Sequence, residues 1–306
     1  MRQSSGADTR SVDIDDRFRL GPFESFGQRF MVKTSDIELA GFLAKLYEPL
    51  RSPGAARPAV EYCLIPPSGN ASGVLTRNQE VICTSSRRHP LLGSLVSAIN
   101  RHVIEGPSHT RLMFHAAAAD LNGAGVLLPA PMESGKTTLV TGLLDRGLSY
   151  LSDEAVTVAH DLTMEGYPKP LSVDPGSWEV LAHHEPEESP PIRQFMSDQW
   201  QLPVQSFASI VCRSRLRLIV FPRHQAGAEF KFETLTPGMA VKEAFASLFV
   251  PAGNLASVDK VRGIGRLAEL IPASRLIYSD LDNACGRIIA ELERLENPSE
   301  VSDNGP

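Results

Sequence analysis

One stretch of the sequence decides the fold, Leu127-Leu128-Pro129-Ala130-Pro131-Met132-Glu133-Ser134-Gly135-Lys136-Thr137-Thr138. The apolar run at 125–128 predicts a strand that enters this stretch, and residues 139–146 predict a short helix that leaves it. Gly147 is placed to end the helix, because glycine is common directly after a helix C-terminus. We therefore expect a strand, a tight turn and a helix in direct succession.

The turn is chemically suited to phosphate. N–H groups in the first turn of a helix lack intrahelical partners, and the helix dipole adds partial positive charge there. The residues follow the P-loop pattern G-x-x-x-x-G-K-[ST], except that Ala130 replaces the first glycine. Alanine is compatible with that position if its φ angle is negative. The predicted phosphate-binding residues are Ser134, Gly135, Lys136, Thr137 and Thr138.

Two of these side chains have specific predicted roles. The Lys136 ammonium can reach the β- and γ-phosphates, and the Thr137 hydroxyl can bind a magnesium ion. The other interpretation is a plain strand-turn-helix with an exposed lysine. The strand before the loop, the helix after it and an acidic strand further along the chain favour phosphate binding.

Composition indicates a globular protein without an electrostatic reason to bind nucleic acid or a membrane. The 306 residues are 42% hydrophobic and 22% charged, with a net charge of −6. No apolar run approaches the roughly 20 residues that cross a bilayer. The polar start of the chain has no apolar signal core, so we expect the cytoplasm. The four scattered cysteines are expected to be reduced.

Length favours two domains. Residues 12–106 predict a smaller α+β domain, and residues 107–296 predict the domain that contains the loop. The short polar ends, 1–11 and 297–306, predict disordered tails.

Two adjacent acids lie inside an apolar stretch after the loop. Asp153 and Glu154 belong to residues 148–158, which predict one strand. Buried carboxylates are costly unless they are paired or bind metal. One acid could therefore bind magnesium while the other accepts the proton of an acceptor hydroxyl. The alternative is a strand end at the surface, where both acids are solvated.

Three basic residues are further candidates. His115 lies on an apolar strand that Asn122-Gly123, a strong hairpin signal, joins to the strand before the loop. It is either a core histidine or a site residue. Lys169 lies between two prolines and is either a phosphate contact or a solvated lysine. Arg223 ends an alternating strand, where it could contact phosphate.

Residues 182–203 predict a long loop, of the kind that in folded domains is functional or disordered. The loop contains the pair His183-His184. The sequence places no partner at metal-binding spacing from this pair, so we expect it to be a surface feature.

Together these stretches resemble the HPr kinase/phosphorylase-like group of P-loop kinases, and most closely its HPr kinase-related branch (kinase A). The resemblance spans most of the chain. The matching segments are Leu20-Gly21-Pro22-Phe23, Phe114-His115-Ala116, residues 125–138, Ser152-Asp153-Glu154, Tyr167-Pro168-Lys169-Pro170, Val220-Phe221-Pro222-Arg223, Arg275-Leu276-Ile277-Tyr278 and Asp280-Leu281-Asp282. The resemblance implies an α/β fold, in which a smaller N-terminal α+β domain is followed by a P-loop kinase domain of HPr kinase/PEP carboxykinase-like type.

The resemblance also implies an activity. HPr kinases phosphorylate a serine-type hydroxyl with ATP and magnesium, and an aspartate pair follows their P-loop, with one member acting as the base. Asp153 and Glu154 stand at those positions here, and His115 stands where such kinases keep a histidine. Members of this branch look like companions of peptide-modification gene sets. The resemblance therefore does not restrict the acceptor to HPr.

Our hypothesis is a kinase that acts on a peptide, a protein or a small molecule. Lys136 and the loop would hold ATP, Thr137 and Glu154 would bind magnesium, and Asp153 would deprotonate the hydroxyl with help from His115. A second hypothesis is an ATPase or nucleotide-binding accessory protein that binds a peptide without phosphorylating it. A third is a degenerate loop with a scaffolding role. A homo-oligomer is an open expectation.

Overall fold

The computed structural model describes residues 18–54, 58–106, 111–131, 134–249 and 258–296. Both predicted disordered tails lie outside these residues. The strands are β1 Phe18–Ser25, β2 Gln28–Thr34, β3 Val60–Ile65, β4 Gly73–Arg77, β5 Glu80–Ser85, β6 Leu112–Leu121, β7 Ala124–Pro129, β8 Ser149–Ser152, β9 Ala155–Val158, β10 Thr163–Gly166, β11 Leu171–Val173, β12 Trp200–Leu202, β13 Arg213–His224, β14 Lys231–Thr234 and β15 Ala273–Tyr278. The helices are α1 Ile37–Leu46, α2 His89–Glu105, α3 Lys136–Leu144, α4 Pro190–Arg193, α5 Pro237–Ala246, α6 Val258–Leu270 and α7 Leu281–Glu296.

The first sheet contains five strands in the order β1-β2-β3-β4-β5. Strands β2 and β3 are parallel, and the other neighbours are antiparallel. Helix α1 begins after Asp36, whose carboxylate accepts the N–H of Leu39 and caps the helix. Helices α1 and α2 pack against this sheet.

The second sheet contains eight strands and carries the candidate site. Its order is β10-β9-β6-β7-β13-β15-β14, with β8 beside β6. Strands β7, β13 and β15 are parallel, whereas β6 and β14 run antiparallel to their neighbours. This mixture of helices and sheets confirms the α/β class. The P-loop kinase subtype stays a prediction, and so does the division into domains, whose proposed boundary falls at residues 107–110, outside the described residues.

The hairpin before the loop forms as the sequence predicts. Leu121 pairs with Ala124 across a two-residue turn, in which Asn122 has a φ of 52° and Gly123 a φ of 96°. Two positive φ angles are the requirement of a type I′ turn. Strand β7 is buried along its whole length and leads to the loop before α3. After α3 the chain turns at Gly147, which has a φ of 92°.

Two predicted segments differ from the structure. Residues 148–158 form two strands, β8 and β9, and the acid pair lies in the bend between them. The Ser152 hydroxyl accepts the N–H groups of Glu154 and Ala155, which holds the chain in this bend. The predicted loop at 182–203 contains the short helix α4 and the strand β12, which pairs with β11. The Trp178 ring stacks on Trp200 of β12.

Apolar residues fill both sides of the second sheet. One buried cluster continues from the first sheet, α1 and α2 to α3 and α7, and a second cluster lies beside α5 and α6. Along β6, Ala117 and Ala119 belong to the first cluster, while Ala116 and Ala118 belong to the second. This alternation is the period of a strand covered on both faces. Among the described residues, no helix has the length and apolarity to span a bilayer.

Gly166 offers a test of the packing beside the acid pair. A Cβ atom at this position would overlap the backbone of Leu151 in β8. We expect Gly166→Ala to lower the free energy of unfolding by about 1–3 kcal/mol, as overpacking does. The control is Gly93→Ala in α2, where a Cβ meets nothing within 4 Å and should add up to about 1 kcal/mol. Urea unfolding measures both, and equal effects would contradict the packing.

Candidate functional site

The chain enters α3 through a glycine that no other residue replaces without strain. Gly135 has a φ of 85° and precedes the helix without any side-chain cap on the first N–H groups. A Cβ atom here would lie 3.1 Å from the Tyr278 hydroxyl and 3.2 Å from the Cβ of His224. Ala130 is buried and is not among the residues with positive φ, so alanine fits its place as expected. Met132 and Glu133 lie outside the described residues.

Lys136 is buried at the start of α3. Its ammonium donates to the carbonyl oxygens of Ala130 and Pro131, at 2.8 and 2.6 Å. Burial lowers the Lys136 pKa to about 8, against the opposing effect of Glu154 and Asp153. The lysine therefore lies folded over its own loop, close enough to the acid pair to interact with it.

The other loop hydroxyls differ in what they contact. The Ser134 hydroxyl is buried without a hydrogen-bond partner among the described residues. Such an atom is costly unless a ligand or water satisfies it. The Thr138 hydroxyl is engaged with Ser177 at 2.6 Å. Thr138 can therefore offer its backbone N–H to a phosphate, whereas its side chain is already bonded.

Asp153 lies at the centre of a buried polar cluster. Its Oδ1 atom is 2.9 Å from the Lys169 ammonium and accepts the Tyr150 hydroxyl at 2.9 Å. Its Oδ2 atom accepts the Thr137 hydroxyl at 3.4 Å. Both charged side chains are nearly inaccessible, with 3% of Asp153 and 1% of Lys169 exposed. The carboxylate thus joins the end of β8 to the start of α3.

Lys169 is neither solvated nor placed as a free phosphate contact. Besides Asp153, its ammonium donates to the Pro170 carbonyl at 3.0 Å and to the Ser172 hydroxyl at 3.3 Å. These three contacts use all three donors of the ammonium group. Lys169 is therefore the internal counter-ion of Asp153.

Glu154 and His115 form the second half of the site. The His115 Nδ1 atom lies 3.5 Å from Glu154 Oε1. Burial, followed by the charge of Lys136, lowers the His115 pKa to about 4. Burial also raises the Glu154 pKa. The imidazole is therefore neutral near pH 7, and its Nε2 atom is buried without a hydrogen-bond partner in the described chain.

Arg223 is not brought to the loop. Its guanidinium is exposed and pairs with Glu243 of α5 at 3.2 Å. The next residue, His224, lies against Gly135 instead. Successive strand residues point to opposite sides, and this alternation could have identified His224 as the neighbour of the loop. Sequence reasoning also missed Tyr150 and Tyr278, for which the sequence gives no local signal.

Comparisons with known proteins find a distant likeness among solved structures. No protein-family model matches the chain, and no curated protein matches it. Among solved structures, the chain is similar to the Hpr(Ser) kinase/phosphatase from Coxiella burnetii, with 12% identity and a TM-score of 0.32. The match covers 61% of this chain and 97% of that one. A likeness of this size is a weak one, and the function proposed below rests on the geometry of the site.

The buried pair of Asp153 and Lys169 can be tested by a double-mutant cycle. Lys169→Met leaves a carboxylate buried without its counter-ion and should lower the free energy of unfolding by about 3–5 kcal/mol. Adding Asp153→Asn should recover part of this loss, because the uncompensated charge is removed.

The matched control is Lys45→Met. Lys45 pairs with Glu188 at 3.2 Å while half exposed, so its loss should cost at most about 1 kcal/mol. Urea unfolding of the wild type, Lys169→Met, Asp153→Asn and the double variant gives the coupling energy. Strictly additive losses at Asp153 and Lys169 would contradict the pairing.

Proposed function

We propose that this chain is a magnesium-dependent phosphotransferase that transfers the γ-phosphate of ATP to a serine-type hydroxyl. The observation that carries the proposal is the meeting of three side chains at the start of α3. Lys136 and Thr137 open the helix, and Asp153 reaches the Thr137 hydroxyl from the bend after β8. A cation, a hydroxyl and a carboxylate around a helix N-terminus suit a metal-bound triphosphate.

Several features of the loop support triphosphate binding. The first N–H groups of α3 have no side-chain cap, and Gly135 leaves room that a Cβ atom would fill. The Ser134 hydroxyl is buried and has no hydrogen-bond partner within the described segments. The Lys136 ammonium, now bonded to two loop carbonyls, has the charge to bind phosphate oxygens instead.

Magnesium would be held by oxygen atoms, which are the ligands it prefers. The Thr137 hydroxyl and the Asp153 carboxylate supply two such atoms 3.4 Å apart. When bound, the ion neutralises charge that develops on the phosphates during transfer. The Lys169 ammonium lies 2.9 Å from the Asp153 carboxylate and compensates its charge. This ion pair holds the carboxylate in place.

The geometry favours an exchange of the roles that sequence reasoning gave to the two acids. We assign Asp153 to magnesium because it lies beside Thr137, and Glu154 to proton abstraction. Glu154 is 28% exposed, so it can reach a substrate, and burial raises its pKa, which makes it a stronger base than an ordinary glutamate. His115 contacts Glu154 and, being neutral, can orient it without competing for phosphate.

The proposed step is the transfer of the γ-phosphate from ATP to the acceptor hydroxyl. The acceptor oxygen attacks the γ-phosphorus, the bond from that phosphorus to the β–γ bridging oxygen breaks, and ADP leaves. The hydroxyl proton passes to Glu154. The protein contributes positioning and charge, which are the main demands of phosphoryl transfer. The acceptor is a hydroxyl on a peptide, a protein or a small molecule.

The variant Glu154→Gln tests whether Glu154 is the base, as we propose here, or the magnesium ligand, as the sequence suggested. We expect it to leave ATP affinity and magnesium dependence nearly unchanged, and to lower transfer to serine-bearing peptides by about 10²–10⁴-fold. Thr137→Val is the metal-side control and should raise the magnesium concentration needed for ATP binding by at least about tenfold. Calorimetry measures binding, and mass spectrometry measures phosphopeptide.

The opposite result would make Asp153 the base and Glu154 the magnesium ligand, as the sequence suggested. A loss of magnesium dependence in Glu154→Gln would make Glu154 the metal ligand. Release of ADP without any acceptor, at a rate that serine peptides leave unchanged, would favour the ATPase or accessory protein. An absence of ATP binding in the wild type would contradict the proposal as a whole.

The Lys136 pKa gives a prediction for pH. In the free protein this lysine loses its proton near pH 8 because burial lowers its pKa to about 8. A bound triphosphate favours the charged form, so binding above pH 8 takes up a proton. The affinity for magnesium-ATP should therefore fall as the pH rises above 8, by up to about tenfold per pH unit.

Lys136→Arg is the control for this effect, since arginine stays charged throughout. Calorimetry in buffers of different ionisation enthalpy should detect proton uptake in the wild type and none from this residue in the variant. A wild-type affinity that stays constant between pH 7 and pH 10 would show that Lys136 does not contact the nucleotide.

A further inference from the structure

We propose that Asp145, His183 and His184 form a surface site for one Zn²⁺ ion. The site lies at the end of α3 opposite the loop. It is separate from the proposed magnesium site and does not depend on the proposed function. The sequence placed no partner at metal-binding spacing from the two histidines, and the fold supplies one from far along the chain.

The ligand atoms already converge. The His183 Nε2 atom lies 3.0 Å from one carboxylate oxygen of Asp145, and the His184 Nε2 atom lies 2.7 Å from the other. One ligand atom from each residue lies within 4.8 Å of the other two. Zinc bonds to nitrogen and oxygen are about 2.0–2.2 Å long, so the ligand atoms of a tetrahedral site lie about 3.4 Å apart. Small shifts of the three side chains would reach this spacing and admit an ion among them.

The chemistry of the donors selects the class of metal. Two imidazole nitrogens suit zinc, copper and nickel, whereas magnesium and calcium prefer an all-oxygen shell. Zinc takes four ligands, and catalytic zinc sites often hold three protein ligands and a water. His183 is 58% exposed, which leaves room for water in the remaining position.

The electrostatics of α3 also favour a cation here. Asp145 is the C-terminal cap of the helix, and the last turn contains no basic residue. A carboxylate at a helix C-terminus is unfavourable, because the dipole places partial negative charge there. The adjacent Arg146 donates to the Gly142 carbonyl in the last turn of α3, which offsets part of the charge of the helix end, but its ion pair is with Asp282 and not with Asp145. A bound cation would offset the charge of Asp145 and of the helix end together.

One of the two histidines is held in place before any ion binds. The ring of His184 lies 4.2 Å from that of Phe207, and the side chain is only 10% exposed. The backbone N–H of His184 donates to the Leu181 carbonyl at 2.9 Å. A ligand fixed in this way loses little conformational entropy on binding.

Zinc at this position would link the segment that contains His183 and His184 to the C-terminal end of α3. The histidines belong to the segment after β11, which also contacts α3 through the Ser177 hydroxyl on Thr138. Binding to the folded state alone would raise thermal stability with the logarithm of the ion concentration, once that concentration exceeds the dissociation constant.

The test uses the tag-free full chain after treatment with a chelator. Titration of Zn²⁺ against a chromophoric competitor should give one site per chain. His183→Ala should weaken this site at least about tenfold, because even the loss of an outer-shell partner costs that much. His183 is exposed, so the variant should fold, and circular dichroism checks that it does.

The matched control is His89→Ala. His89 makes the same kind of contact, 2.6 Å from Asp198, but in the described part of the chain this pair belongs to no group of three possible metal ligands. Zinc affinity should be unchanged in this variant. Substitution with Co²⁺ should give visible absorption bands that Asp145→Asn alters.

Two results would overturn the site. If the wild type binds no Zn²⁺ at concentrations up to those that fill unspecific surface sites, the three residues form only hydrogen bonds. If His183→Ala and His89→Ala bind zinc as tightly as the wild type, the ion lies elsewhere on the chain. Either outcome leaves the proposed transferase activity untouched.

Discussion

The candidate site depends on one buried ion pair, Asp153 with Lys169. Neither side chain is more than 3% exposed, and the pair is 2.9 Å apart. Taking two charges out of water costs several kcal/mol each, and their mutual attraction repays this only when the remaining polar atoms are satisfied. Tyr150 and Ser172 satisfy them here. The pair therefore contributes position more than stability, since it fixes one carboxylate against the start of α3.

That constraint separates two neighbouring acids into different environments. Asp153 is enclosed and compensated by a fixed cation, whereas Glu154 lies nearer the surface beside a neutral imidazole. Adjacent carboxylates of similar intrinsic acidity acquire different environments in this way, and in our proposal one binds the metal and the other takes the proton. The bend between β8 and β9 keeps both acids near Lys136, because a continuous strand would direct the two side chains to opposite sides of the sheet.

Local features could be predicted from the sequence, whereas contacts between distant residues could not. The hairpin at Asn122, the cap at Asp36 and the strand-turn-helix at Gly135 each follow from a few adjacent residues. Lys169 was a candidate phosphate contact or solvated lysine because prolines flank it, yet its ammonium pairs with Asp153, in a different connecting segment of the chain. The Arg223 guanidinium pairs with Glu243 on α5, a partner that the residues around Arg223 do not indicate.

Helix α3 gives the two proposed ligands a common physical basis. Its nine residues span about 13 Å, with uncapped N–H groups at one end and Asp145 at the other. The dipole favours an anion at the first end and a cation at the second. A triphosphate beside Lys136 and a zinc ion beside Asp145 would each place charge where the helix already favours it. The same short element would thus bind both ligands without a change in its own structure, so either could be lost while the other is retained.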